Sequence, residues 1–167
     1  MATLNETSGV LTSPYYPRRY PSNEKCSWKI IASKGERILL FIEDIDIRTC
    51  GSSCTCDYLE IQNGLSSDGI SARRRCRYYE DSGIVYHSVK DVLWLTFVSD
   101  SGTYWRFRGF KATYIKVKYN ATNTGKLFVP SSTLSNIFRS SCKTLLVLWY
   151  SRLGPSCSYK FWKKRFD

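Results

Sequence analysis

The residues able to do chemistry in this chain are few, and cysteines lead them. Seven cysteines among 167 residues point to an oxidising compartment, where thiols pair. Cys50, Cys54 and Cys56 are spaced closely enough to suggest a metal site, but no second cysteine or histidine cluster completes a zinc-type set. His87 is the one histidine and has no partner motif, so a surface or packing role suits it better than ligation. There is no Gly-rich phosphate loop, no nucleophile motif and no zinc-binding helix motif. Asp57 and Asp100 are the pair that could do acid–base work. A small domain without an evident cleft argues against that use, and the expectation is that the chain is not an enzyme.

Charge is the other chemical signal. The formal net charge is +11, which favours anionic partners: acidic protein surfaces, sulfated polysaccharide, anionic lipid or nucleic acid. Arg73, Arg74, Arg75 and Arg77 form one basic patch and Arg18-Arg19 another. Arginine grips carboxylate, sulfate and phosphate in bidentate fashion, so a heparin-like polysaccharide is a candidate ligand. The competing view is a plain solvated surface. No nucleic-acid-binding motif is present, and no nucleic acid partner is expected.

The sequons Asn5-Glu6-Thr7 and Asn120-Ala121-Thr122 agree with a secreted glycoprotein. Met1 to Leu4 has neither the basic start nor the apolar stretch of a signal peptide. Leu145 to Tyr150, the longest apolar run, is too short to span a bilayer. The chain therefore reads as a fragment or isoform of a secreted or membrane-anchored protein, with no transmembrane segment.

The elements that must position these residues are strands. Twelve Tyr and eight Phe against one Met suit half-buried pleated surfaces. Cys26 to Ile30 alternates, Arg37 to Ile42 is an apolar run of buried-strand length, and Tyr58 to Ile61 alternates up to the Asn63-Gly64 turn signal. Val92 to Val98 is a further strand. Phe110 to Val117 is another, with Phe110, Ala112, Tyr114 and Lys116 on one face. Pro, Ser and Asn make 13–17 and 20–23 turn-rich. Short strands at regular spacing imply an all-β fold, an antiparallel sandwich or barrel. The expected division is a β domain over 1–117, then a linker and irregular basic, aromatic tail over 118–167.

Five blocks then converge on one family. Ser8 to Pro17 with Tyr20-Pro21, Cys26-Ser27-Trp28-Lys29-Ile30, Cys54 to Ile61 with Cys76, Phe97 to Asp100, and Gly109 to Tyr114 together resemble a CUB domain over residues 8 to 116. The resemblance implies a compact antiparallel β-sandwich of the CUB/spermadhesin-like jelly-roll type, used mainly outside cells for protein or carbohydrate recognition. An extracellular protein ligand is the expected partner. The alternative is a spermadhesin-like lectin that binds sulfated polysaccharide through its arginine patches.

The resemblance also sorts the cysteines. It pairs Cys54 with Cys76, and it makes Cys26 the second half of a bridge whose first half should lie upstream of residue 8, where this chain has none. Cys50 and Cys56 are extra to the pattern and can bridge across their own loop; Cys142 and Cys157 can staple the tail.

Many CUB domains hold calcium at one end, and a hard cation wants several converging oxygens. Asp57 and Asp100 fall on two of the acidic positions, Tyr20 on the tyrosine that orients them, and Thr103 on an assisting position. The third acidic position is Arg48. A guanidinium there repels a cation, and the simplest substitute is a charge-assisted bond from Arg48 to Asp57 or Asp100. Glu43, Asp44 or Asp46 swinging inward would instead restore a calcium site. Asp57, Asp100, Tyr20 and Glu60 are the candidate contact residues.

Overall fold

The computed structural model describes residues 1–50, 54–64, 72–77, 81–102, 106–119 and 127–128. Among the described residues, ten strands, numbered in chain order, form two sheets. One sheet runs β1 (Ala2–Leu4), β3 (Lys25–Ile31), β8 (Val92–Val98), β5 (Tyr58–Asn63), β6 (Arg73–Arg75). The other runs β10 (Leu127–Phe128), β9 (Gly109–Tyr119), β4 (Glu36–Asp46), β7 (Val85–His87), with β2 (Ser8–Thr12) also paired to β9. Among the described strands only β1 and β3 pair in parallel; the rest are antiparallel.

Alternation decides which side chains enter the space between the sheets. In β8, Leu93, Leu95 and Phe97 are fully buried, while Trp94 and Thr96 face outward. Leu59 and Ile61 of β5 and Ile30 of β3 complete that inner face. The opposing sheet supplies Ile38, Leu40, Ile42, Phe110, Ala112 and Tyr114. Phe110 joins the two layers, meeting Phe97 at 5.9 Å and the edge of Trp28 at 5.7 Å between ring centroids. Towards its end β9 departs from the expected pattern. Ile115 and Val117 are buried, whereas Lys116 is half-exposed and donates from Nζ to the Asn5 carbonyl.

Two local features aim the chain at one end of the sandwich. A bulge in β4 shifts the register between Ile42 and Asp44, and an extra residue flips the alternation. Ile45 and Ile47 are thereby buried in the core, Asp44 and Asp46 turn outward, and Arg48 arrives at the end of the sandwich. Where β9 begins, Gly109 has φ +93°, and a Cβ there would lie 1.8 Å from Ser13 Oγ. Only glycine lets the 13–24 loop pack so closely on β9. The same Ser13 hydroxyl accepts from the Phe110 amide at 3.1 Å.

Candidate functional site

The β2–β3, β4–β5 and β8–β9 loops meet at this end. Asn23 N–H donates to the Asp100 carbonyl at 2.8 Å, Ser22 Oγ to the Gly102 carbonyl at 2.9 Å, and Ser99 Oγ to the Pro21 carbonyl at 2.8 Å. Tyr20 is buried, its ring set edge-on to Phe97 at 5.2 Å.

Within this frame four residues close a ring of hydrogen bonds. The Tyr20 hydroxyl donates to Asp57 Oδ2 at 2.7 Å and accepts from the Arg48 amide at 3.1 Å. Asp57 Oδ1 accepts from the Asp100 amide at 2.8 Å. Asp100 Oδ1 accepts from the Gly102 amide at 2.8 Å and from Arg48 Nη1 at 2.7 Å. The guanidinium thus reaches one of the two carboxylates considered as its partners from the sequence. Its Nη2 lies 3.4 Å from Cys50 Sγ and 3.5 Å from Cys56 Sγ.

Electrostatics follow from these contacts. Burial pushes the Tyr20 hydroxyl far above its ordinary value, and the bond to the Asp57 carboxylate adds to the rise. It is a permanent donor at any working pH. The Gly102 amide holds the Asp100 carboxyl below its ordinary value; burial opposes this, and Arg48 reinforces it.

The arrangement does not suit a hard cation. Asp57 is 2% exposed, and both its oxygens accept hydrogen bonds from groups of the ring. Asp100 is occupied by a guanidinium where a calcium ion would need a third carboxylate. Glu43, Asp44 and Asp46 stay outside the ring. Glu43 binds Lys111 and Thr113, Asp44 accepts from the Tyr16 hydroxyl at 2.8 Å, and Arg108 pairs with Asp44 and Asp46 at 3.4 Å each. Burial and the Asp44 bond push Tyr16 up to about 12. No three His, Cys, Asp or Glu residues converge as a metal site among the described residues. Thr103 lies outside them.

The remaining candidates sit elsewhere. Glu60 engages Arg74 at 3.0 Å instead of joining the ring, and the Arg74 guanidinium lies 4.0 Å above the Tyr58 ring. Arg75 pairs with Asp81 at 3.1 Å, and Arg73 is exposed. The row of arginines therefore presents fewer free cations than its composition suggests. Asp81, which carried no sequence signal, is 4% exposed and accepts from the Cys76 and Arg77 amides at 2.9 Å each. His87 is exposed in β7.

Both expected bridges of this end form. Cys54 joins Cys76 with Cα atoms 5.7 Å apart, and Cys50 joins Cys56 at 5.8 Å. That pairing removes the metal reading of Cys50, Cys54 and Cys56. Cys26 is a free, half-buried thiol, its pKa raised by burial and then by Glu24. Asn5 is exposed between β1 and β2. Asn120, Cys142 and Cys157 lie outside the described residues, as does most of the expected 118–167 tail.

Comparison with known proteins meets the same pattern. The family model of the CUB domain matches residues 1–114. Dog cubilin is 34% identical over 165 residues, covering 95% of this chain and 4% of cubilin. The full extracellular region of zebrafish Gpr126/Adgrg6 superposes with a TM-score of 0.61 at 26% identity, covering 70% of this chain and 14% of that one. The MASP-1 CUB2 domain bound to Ca2+ superposes with a TM-score of 0.58 at 25% identity, covering 68% of this chain and 96% of that one. Family model, relatives and architecture agree: this chain belongs to the CUB domain family, as a disulfide-bonded β-sandwich.

Proposed function

We propose that this chain is a non-catalytic, extracellular recognition module that engages a protein ligand through its loop end, and that Arg48 organises that end in place of a calcium ion. The observation that carries the reading is the Arg48–Asp100 ion pair at 2.7 Å, in a ring with Tyr20 and Asp57. A similar CUB domain is bound to Ca2+; here a cation made of protein stands against Asp100, and the loops are tied without metal. The two carboxylates serve the ring, so neither is left as a free acid or base, in keeping with a binding role.

Two disulfides among the described residues support an oxidising, extracellular setting, as does the likeness to an extracellular region. The exposed Asn5 sequon is positioned to accept a glycan. No helix among the described residues is long and apolar enough to cross a membrane. The polysaccharide reading has less support, because Arg74 and Arg75 are engaged by Glu60 and Asp81.

A thermal unfolding scan of the refolded chain with calcium and with chelator tests this. A ligand that binds only the native state must raise the midpoint. The wild type is expected to show no shift, whereas Arg48→Glu restores a third carboxylate and gains a calcium-dependent rise. A calcium-dependent rise in the wild type would overturn the substitution of Arg48 for the ion.

A further inference from the structure

At the loop end the carboxylates are engaged by protein groups, while further guanidiniums stand exposed. Asp57 is buried, Asp100 is held by Arg48, and Asp44 and Asp46 are held by Arg108. Arg18, Arg19 and Arg106 are exposed, and neither Arg18 nor Arg106 makes an ion pair among the described residues. The loops that carry them are stitched together. Tyr16 and Arg108 share Asp44, and Ser13 Oγ donates to the Arg108 carbonyl at 3.3 Å. This end offers a partner the exposed Arg18, Arg19, Arg106 and Arg108 beside the part-exposed Asp100, on a chain of net charge +11.

A second observation lies beside it. Tyr15 has φ 59° and is 72% exposed. A bulky residue in the left-handed region is strained, and outliers of this kind gather at functional sites. The turn is closed by the Arg18 amide donating to the Tyr15 carbonyl at 2.7 Å. An exposed tyrosine three residues ahead of an exposed arginine has the composition of a binding hot spot, where aromatic and Arg side chains carry most of the energy.

We propose that the loop end takes an acidic protein segment, with Tyr15 as its aromatic anchor and Arg18 and Arg106 meeting its carboxylates. This rests on the reading of the loop end as the contact surface. It adds the sign of the partner, acidic to meet the exposed guanidiniums. Guanidinium–carboxylate pairs suit it, being charge-assisted and bidentate.

The experiment is a titration of the isotopically labelled full chain with three probes: a glutamate-rich peptide, a lysine-rich peptide and a heparin oligosaccharide. The glutamate-rich peptide is expected to shift the amides of Tyr15 to Tyr20 and of Arg106 to Phe110. Its affinity should fade between about 50 and 300 mM salt and fall about tenfold in Arg18→Glu/Arg106→Glu. Tyr15→Asn supplies the sharper sign. Asparagine tolerates the left-handed region, so this variant should melt at the same temperature or higher while binding the peptide about tenfold more weakly. Unchanged affinity in Tyr15→Asn overturns the proposal, as does heparin shifting these amides when the glutamate-rich peptide does not. Shifts at Tyr20, Asp57 and Asp100 with the lysine-rich peptide alone overturn the acidic partner but leave the loop end as the contact surface. Silence at the loop end with all three probes overturns both.

Discussion

Between the sheets, Leu93, Leu95, Phe97 and Phe110 are fully buried among apolar neighbours that meet them from both layers. At the loop end Asp57 is almost as deep, at 2% exposure, yet every contact that defines it is a hydrogen bond. The interior draws its stability from area removed from water and tolerates rearrangement as long as volume is kept. The ring of Tyr20, Asp57, Asp100 and Arg48 is stable only when complete, because each buried polar group left without a partner carries its own desolvation cost. A CUB domain that relies on a metal divides these tasks between protein and ion. On the proposed reading the side chains here do both, and Tyr20 links the two regions by packing on Phe97 while donating to Asp57.

The sharpest way to test the interior is Phe97→Ala. It removes the ring that touches Tyr20 and Phe110 together, and the cavity and lost transfer energy should destabilise the domain by about 3–5 kcal/mol in denaturant unfolding. Because Tyr20 leans on Phe97, the loop end should loosen as well. A loss below about 1 kcal/mol would mean that the two layers are not held through these aromatics.

Asp57→Ala tests the ring and should cost less, about 2–3 kcal/mol, since it strands the buried Tyr20 hydroxyl and the Asp100 amide. The comparison sharpens when Tyr20→Phe is added. If the ring acts as a unit, the double variant loses clearly less than the sum of the singles. Additive losses would show that the hydrogen bonds act separately and that the loop end is no more cooperative than ordinary surface.

Legibility in the sequence divides along the same line. The interior was readable because alternation reports burial directly. Val92 to Val98 was bounded to the residue, and Phe110, Ala112 and Tyr114 are buried together. The short edge strands β1, β6, β7 and β10 were not read as strands, since two or three residues carry no period. The β4 bulge was invisible for a related reason: an extra residue is seen only against its partner strand, yet it decides that Ile45 turns inward and Asp44 outward. At the loop end, residue types far apart in the chain pointed to Asp57, Asp100, Tyr20 and Arg48 only through family resemblance. The roles of Tyr16, Arg108 and Asp81 depend on loop geometry that no local pattern encodes.

The smallest effect, and the one that isolates the Arg48–Asp100 contact, is a pH dependence. The Gly102 amide, helped by Arg48 and opposed by burial, holds the folded Asp100 carboxyl below the ordinary value of 3.8 that it regains on unfolding. A carboxyl that ionises more readily when folded contributes stability that is fully present above the unfolded value. That contribution is lost as pH falls through the unfolded value and then the folded one. The carboxylate is about a third exposed, so after solvent screening the Arg48 share is about 0.5 kcal/mol. In Arg48→Gln the amide contribution remains and the charge contribution goes. Melting temperatures of wild type and variant should then stand apart at neutral pH and draw together as pH drops below about 5. Any packing lost with the guanidinium is independent of pH and only offsets the two curves, so the convergence measures the charge pair alone. Parallel curves down to the acid limit would mean that Arg48 holds the loops by shape and hydrogen bonding, without electrostatic coupling to Asp100.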